Sequence, residues 1–156
     1  MEEPLAQALT TVTKRYLYGL SKSLLHLSID RYHYVLVLID THHEALSQKA
    51  LAELLHIDKS YMVSMLDYLG ENGYIIREKN PNDRREQLIK LTLKARTDLP
   101  VIKGAIEELN NRSLRNINTA DKLIFMQVLR SIQDNLSDIV PTPSSEINPM
   151  IKTYED

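Results

Sequence analysis

Ile57 to Thr92 reads IDKSYMVSMLDYLGENGYIIREKNPNDRREQLIKLT, and its internal divisions decide the fold. Asp58 is suited to cap a helix, because its carboxylate can accept from the free amides of a first turn. Met62, Leu66 and Leu69 then recur at spacings of four and three, which is the buried stripe of an amphipathic helix over residues 59–72. Gly73 follows Glu71-Asn72, where a glycine enters the left-handed region cheaply and ends the helix. Tyr74-Ile75-Ile76 is a β-rich run. Lys79-Asn80-Pro81-Asn82-Asp83 is turn chemistry, since Pro fixes φ and Asn and Asp bond their own backbone. Leu88, Ile89 and Leu91 resume the strand pattern before Thr92. A helix followed by a hairpin with a basic tip predicts a winged helix. Such a unit offers a rod for the major groove and an arm for the minor groove.

Upstream, Ser47 can cap a short helix over residues 48–55, with Leu51, Leu54 and Leu55 inward and His56-Ile57 as a turn. This helix and the next form a helix-turn-helix whose second member reads. Before it, Leu5, Leu9, Val12, Tyr16, Leu20 and Leu24 predict a helix from Pro4 to about Leu27. A second helix is expected over residues 31–41, capped by Ser28 or Asp30 and buried through Tyr34 to Ile39. His42 to Leu46 is a connection that can hold a very short strand. Downstream, a helix is expected from Leu93 to about Asn116, with Pro100 kinking it or marking its true start. A last helix over residues 120–139 would be capped by Thr119. Its apolar stripe is wider than one face, which implies contact with both its own lobe and another chain. Residues 141–156 hold three of the six prolines and no sustained period, and read as an extended tail.

The predicted architecture is mainly α with a small β-wing: a winged helix-turn-helix plus a helical dimerisation region. The organisation is a dimerisation helix at 1–30, a DNA-binding domain at 31–92, dimerisation helices at 93–140 and the tail at 141–156. The flanking helices carry more apolar face than 156 residues can bury alone. This predicts a homodimer, with Leu5, Leu9, Val12, Leu129, Ile132 and Leu136 at the interface.

Charge is distributed to match. The chain carries −2 overall. Residues 77–96 hold seven basic and three acidic side chains, or +4, so the remainder carries −6. A broadly basic nucleic-acid coat is excluded, but a local patch is not. There are no cysteines, which excludes disulfides and thiol-ligated metals. The acidic start, Met1-Glu2-Glu3, is unlike a secretion signal, and no apolar run is long enough to span a bilayer. A cytoplasmic protein with no membrane association is expected. Five histidines include no His-x-x-x-His pair on one helix, so neither metal nor another cofactor is expected. No nucleophile–base set and no glycine-rich phosphate loop occurs, and no enzyme is expected.

Together these motifs resemble the MarR family of bacterial transcriptional regulators. The resemblance rests on Ala50-Leu51-Ala52-Glu53-Leu54-Leu55, Ile57-Asp58-Lys59-Ser60, Asn72-Gly73-Tyr74-Ile75-Ile76-Arg77 and Asn80-Pro81-Asn82-Asp83-Arg84-Arg85, followed by Leu91-Thr92. It covers about Leu5 to Ile139. It implies a triangular homodimer whose termini form the base and whose wings grip a near-palindromic operator in double-stranded DNA. It also implies regulation, often repression relieved by a small-molecule effector lodged between base and reading lobes. Asp83 would orient Arg85, and Arg85 would enter the minor groove. Lys59, Arg77 and Arg84 would contact phosphates. Ser60, Tyr61 and Ser64 would reach bases or phosphates, and Val63 a thymine methyl.

The chain departs from the family pattern at Ser64 and Tyr68, where relatives are often basic. Val63 stands for a frequent Thr, Gly70 for Glu, and Ala95 for Gly. An effector pocket is expected near Tyr16, Tyr32 and His33, with Tyr18 and Tyr34 nearby; its chemistry suits a phenol or carboxylate. Packing alone is the competing explanation for these aromatics. A winged-helix protein–protein interaction module without specific DNA binding is the alternative function.

Overall fold

A computed structural model describes residues 4–42 and 44–139. In chain order the elements are α1 (Leu5–Ser23), α2 (His33–Thr41), β1 (Leu46–Ser47), α3 (Gln48–Leu55), α4 (Lys59–Glu71), β2 (Ile75–Lys79), β3 (Gln87–Leu91), α5 (Leu93–Ser113) and α6 (Thr119–Asn135). The strands form one antiparallel sheet in the order β1-β3-β2. Ile75 pairs with Leu91 and Lys79 with Gln87, so β2 and β3 are a hairpin, and Leu46 pairs with Ile89 on the other edge.

Local chemistry sets most boundaries. Ser47 Oγ accepts from Ala50 N at 3.1 Å, and Asp58 Oδ1 accepts from Tyr61 N at 2.9 Å, so α3 and α4 start where their caps are. Gly73 has φ of 77° and lets the chain leave α4 directly into the sheet. Thr92 Oγ1 accepts from Ala95 N at 3.2 Å and donates to Gly73 O at 2.7 Å, which ties the start of α5 to that turn.

Several expected boundaries move. The first helix stops at Ser23 rather than Leu27, because the chain turns there to bring both Leu24 and Ile29 into the core. The second helix is capped by neither Ser28 nor Asp30. Tyr32 precedes it in the left-handed region at φ 65°, and Asp30 is engaged elsewhere. Tyr34 and Leu54 are exposed rather than inward. Pro100 lies inside α5, whose start is fixed seven residues earlier by Thr92. The last helix is capped by Asn118, not Thr119: its Oδ1 accepts from Asp121 N at 2.9 Å while its Nδ2 donates to the Asp121 carboxylate at 2.7 Å. The expected tail lies outside the described residues.

The core is centred on α4. Met62, Met65, Leu66 and Leu69 are fully buried against Val35, Leu36, Leu51, Tyr74, Ile89, Ala95, Leu99 and Ile102, with Leu20 and Leu24 closing it from α1. By contrast, no residue of α6 is buried. The expectation that α6 would pack on its own lobe fails on this point.

Candidate nucleic-acid interface

The helix-turn-helix is built by α3, a turn at His56 (φ 51°) and α4. Burial of the inner stripe turns the opposite side of α4 outward. Lys59, Ser60 and Ser64 are exposed there, and Val63 is half-buried beside them. Ser64 Oγ donates to Ser60 O at 3.2 Å. Lys59 is the one basic side chain of α4, and Asp67 and Glu71 are also exposed on it.

Tyr61 belongs to a different face. It is half-buried with its ring edge-on to Tyr32 at 6.3 Å, and burial and the Tyr32 hydroxyl push its own hydroxyl far above the usual tyrosine range. Tyr61 is one residue round the helix from Ser60, and its ring packs on the protein body against Tyr32. Tyr68 follows it at a spacing of seven and lies on the same side. Its hydroxyl donates to Asp30 Oδ1 at 2.7 Å and accepts from Asp30 N at 3.0 Å. The Arg31 guanidinium lies 4.8 Å from the Tyr68 ring and 5.7 Å from the Tyr32 ring.

The wing turn is held by its own side chains. Asn80 Oδ1 accepts from Asn82 N at 2.9 Å, and Asn80 Nδ2 donates to Glu86 Oε2 at 3.1 Å. Backbone bonds from Asn80 N to Glu86 O and from Glu86 N to Asp83 O close the loop. At the tip, Asp83 Oδ1 accepts from Arg85 Nε at 3.2 Å and from Arg85 N at 3.0 Å, while Oδ2 accepts from Nη2 at 3.4 Å. The Arg85 guanidinium, then its amide, hold the Asp83 carboxyl below the usual carboxylate range. The Arg85 side chain is 91% exposed even so. Arg84 is exposed beside it, and Lys90 pairs with Glu78 across the hairpin.

Arg77 does not stand with them. Only 26% of its side chain is exposed, and it donates to Asp67 at 2.7 Å and to the Val63 carbonyl at 3.4 Å. Of the residues expected to contact phosphate, Arg77 is thus the one paired within the protein, while Lys59 and Arg84 are exposed.

A cavity of about 1030 Å³ lies between α1, the Asp30–Tyr34 segment and the inner side of α4. Tyr18, Tyr32, His33, Tyr61 and Tyr68 line it, and Ser60 and Ser64 border it from the exposed side of α4. His33 is buried, which pushes its pKa down, and its Nε2 donates to Ile29 O at 3.0 Å. Tyr16 is not part of this lining. It faces α5, donating to Asn110 Oδ1 at 2.7 Å, so its assignment to the pocket is corrected. Sequence reasoning missed Tyr61 and Tyr68 as lining residues. Their spacing of seven along one helix was the available signal.

Of the expected interface residues, Leu5, Leu9, Val12 and Leu136 are exposed and Leu129 and Ile132 half-buried. Among the described residues, no group of three or more His, Asp or Glu side chains could hold a metal ion, and no helix is long and apolar enough to cross a membrane.

A capped reading helix, its preceding helix and a basic-tipped hairpin define a winged helix-turn-helix protein. Residues 29–87 match the model of the MarR family. The uncharacterized HTH-type transcriptional regulator YdgJ of Bacillus subtilis (strain 168) is 26% identical over 98 residues, which span 63% of this chain and 60% of that relative. A putative MarR family transcriptional regulator from Listeria monocytogenes, solved in complex with a 26mer DNA, superposes with a TM-score of 0.79 at 20% identity, over 88% of this chain and 91% of that one. CouR from Rhodococcus jostii RHA1, solved bound to p-coumaroyl-CoA, gives 0.70 at 22% identity over 90% and 96%. The chain thus shares the fold of solved MarR family regulators and matches the family's model over residues 29–87.

Proposed function

We propose that this chain is a dimeric, sequence-specific DNA-binding transcriptional regulator, acting in the cytoplasm as a repressor on a near-palindromic operator. The observation that carries this reading is the wing tip, where Asp83 holds an Arg85 guanidinium that is otherwise open to solvent. A guanidinium fixed at a hairpin tip suits the negative potential of a narrow A·T-rich minor groove. Lys59, Ser60, Val63 and Ser64 meet the adjacent major groove from α4, and Arg84 contacts a phosphate. The wing dominates, because α4 offers a single basic side chain. The domain division follows the same logic: residues 1–30 and 93–140 supply the base, and residues 31–92 read.

The dimer base is formed by Leu5, Leu9 and Val12 of α1 with Leu129, Ile132 and Leu136 in and beyond α6. The exposure of all but two of these side chains in a single chain supports it. The tyrosine-lined cavity behind α4 accepts a small phenolic or carboxylate effector. Tyr32 and His33 line it, and one wall is the Ser60, Tyr61, Ser64 and Tyr68 side of the reading helix, so occupancy bears on α4 directly.

The test is Arg85→Ala, read by fluorescence anisotropy on the upstream DNA. Operator affinity falls by roughly tenfold or more while the melting temperature stays put, since the side chain is almost wholly exposed. Unchanged affinity with unchanged melting removes Arg85 from the interface. A second reading, a winged-helix module that docks on protein, is favoured by the acidic Asp67 and Glu71 on α4. Phosphate contacts require affinity to fall steeply with salt, and a protein-docking module does not bind duplex in this way.

A further inference from the structure

Arg77 lies at a position on β2 that sends it inward. It is two residues from the buried Ile75, and strand alternation puts both side chains on one face. That face looks at α4, where Val63 and Asp67 are four residues apart on one ridge. The guanidinium meets both: Nη1 donates to the Asp67 carboxylate at 2.7 Å and Nη2 to the Val63 carbonyl at 3.4 Å. Nε is buried and, among the described residues, has no hydrogen-bond partner, so the fork is held by its two outer nitrogens. About a quarter of the side chain, 26%, remains exposed.

We propose that Arg77 is a positioning residue: a strut that fixes the wing hairpin against the reading helix, rather than a DNA contact. The inference rests on the DNA-binding reading for its consequence and on the hairpin geometry for its structure. Two grooves must be entered by two elements at one fixed separation. At its base the hairpin is already joined to α4 through the Gly73 turn and through Ile75 and Ile89, which share a buried core with Met62, Met65, Leu66 and Leu69. A planar fork reaching both a carboxylate and a carbonyl on one helical ridge adds a polar tie to that apolar base and fixes the angle at which the hairpin leaves it. A lysine at this position keeps the charge but presents one nitrogen, and cannot span both acceptors.

The roles predict opposite results for two conservative variants, Arg77→Lys and Asp67→Asn. As a phosphate contact, Arg77 tolerates Lys; and removing the Asp67 charge, which repels DNA, tightens binding. As a strut, both variants bind the upstream duplex about tenfold more weakly, with the slope of log affinity against log salt unchanged. In the free protein, amide hydrogen exchange in β2 and β3 rises about tenfold in both variants, while α5 exchanges as in the wild type.

Wild-type affinity in either variant, tighter binding by Asp67→Asn, or a salt slope shallower by about one in Arg77→Lys overturns the proposal. So does unchanged exchange in the hairpin. Should Arg77→Lys fail to fold, Asp67→Asn decides, since it changes one half-exposed atom. If the wild-type protein prefers no duplex, the DNA-binding reading fails by itself, and the exchange data alone then decide whether the strut exists.

Discussion

The lobe around α4 and the pair formed by the N-terminal half of α1 with α6 are built from similar apolar residues and end in opposite states. Around α4, Met62, Met65, Leu66 and Leu69 have no exposure at all. Along α6, Leu123, Ile124, Phe125, Met126 and Val128 are each about half exposed, and none of its residues is buried. Leu5 and Val12 on α1 are as open. The first region is completed by its own chain. The second has a surface that a soluble monomer does not leave open over two helices. Apolar periodicity is the same signal in both, so it reports that a face will be covered without saying by what.

The strongest way to break this contrast is a charge in the middle of α6. For the proposed dimer, the expected outcome of Ile132→Asp is a monomer by sedimentation equilibrium, with most helical circular dichroism retained because the reading lobe holds its own core. An unchanged mass removes α6 from the interface, and complete unfolding shows that the reading lobe is not self-sufficient. Next in size is Leu66→Ala. Its side chain is fully enclosed, and its loss costs about 2–5 kcal/mol in denaturant unfolding. A cost under about 1 kcal/mol would mean that the lobe is loosely packed.

Two glycines sharpen the account of how α4 meets the wing. Gly73 has φ of 77°, and a Cβ there would meet only the Lys94 side chain at 3.8 Å. Gly73→Ala therefore costs about 1–2 kcal/mol from backbone strain alone, with no clash to relieve. Gly70 is helical, exposed and spacious, its nearest neighbour being Ile75 O at 3.9 Å. Gly70→Ala is expected to stabilise the lobe by up to about 1 kcal/mol, measured as a raised melting temperature. A loss of stability there would show that α4 and β2 are closer than this geometry allows.

Much of this was legible in sequence because its causes are local. Asp58 and Ser47 cap the helices they precede, Gly73 stops α4, and Asn80 to Asp83 make their own turn. The Asp83–Arg85 pairing needs only two residues of separation. What was hidden depends on residues brought from far along the chain. Tyr68 turns inward because Asp30, 38 residues away, takes its hydroxyl and Arg31 covers its ring. Tyr16 left the expected pocket because Asn110 accepts its proton 94 residues away. The left-handed Tyr32 carries no composition signal at all. A net charge of +4 over residues 77–96 treated each cation as available, whereas Arg77 is taken by Asp67 and Lys90 by Glu78. The two-sided stripe of α6 was read as contact with its own lobe as well as a partner, and a periodicity cannot separate those surfaces.

The central claim is that this winged helix reads DNA. The most direct test is anisotropy of the purified protein on its own upstream duplex against random duplex, over a salt series. A DNA-reading winged helix binds the upstream duplex more tightly, with log affinity falling linearly and steeply against log salt, by ~0.9 for each phosphate contacted. Equal and salt-insensitive binding to both duplexes would contradict it.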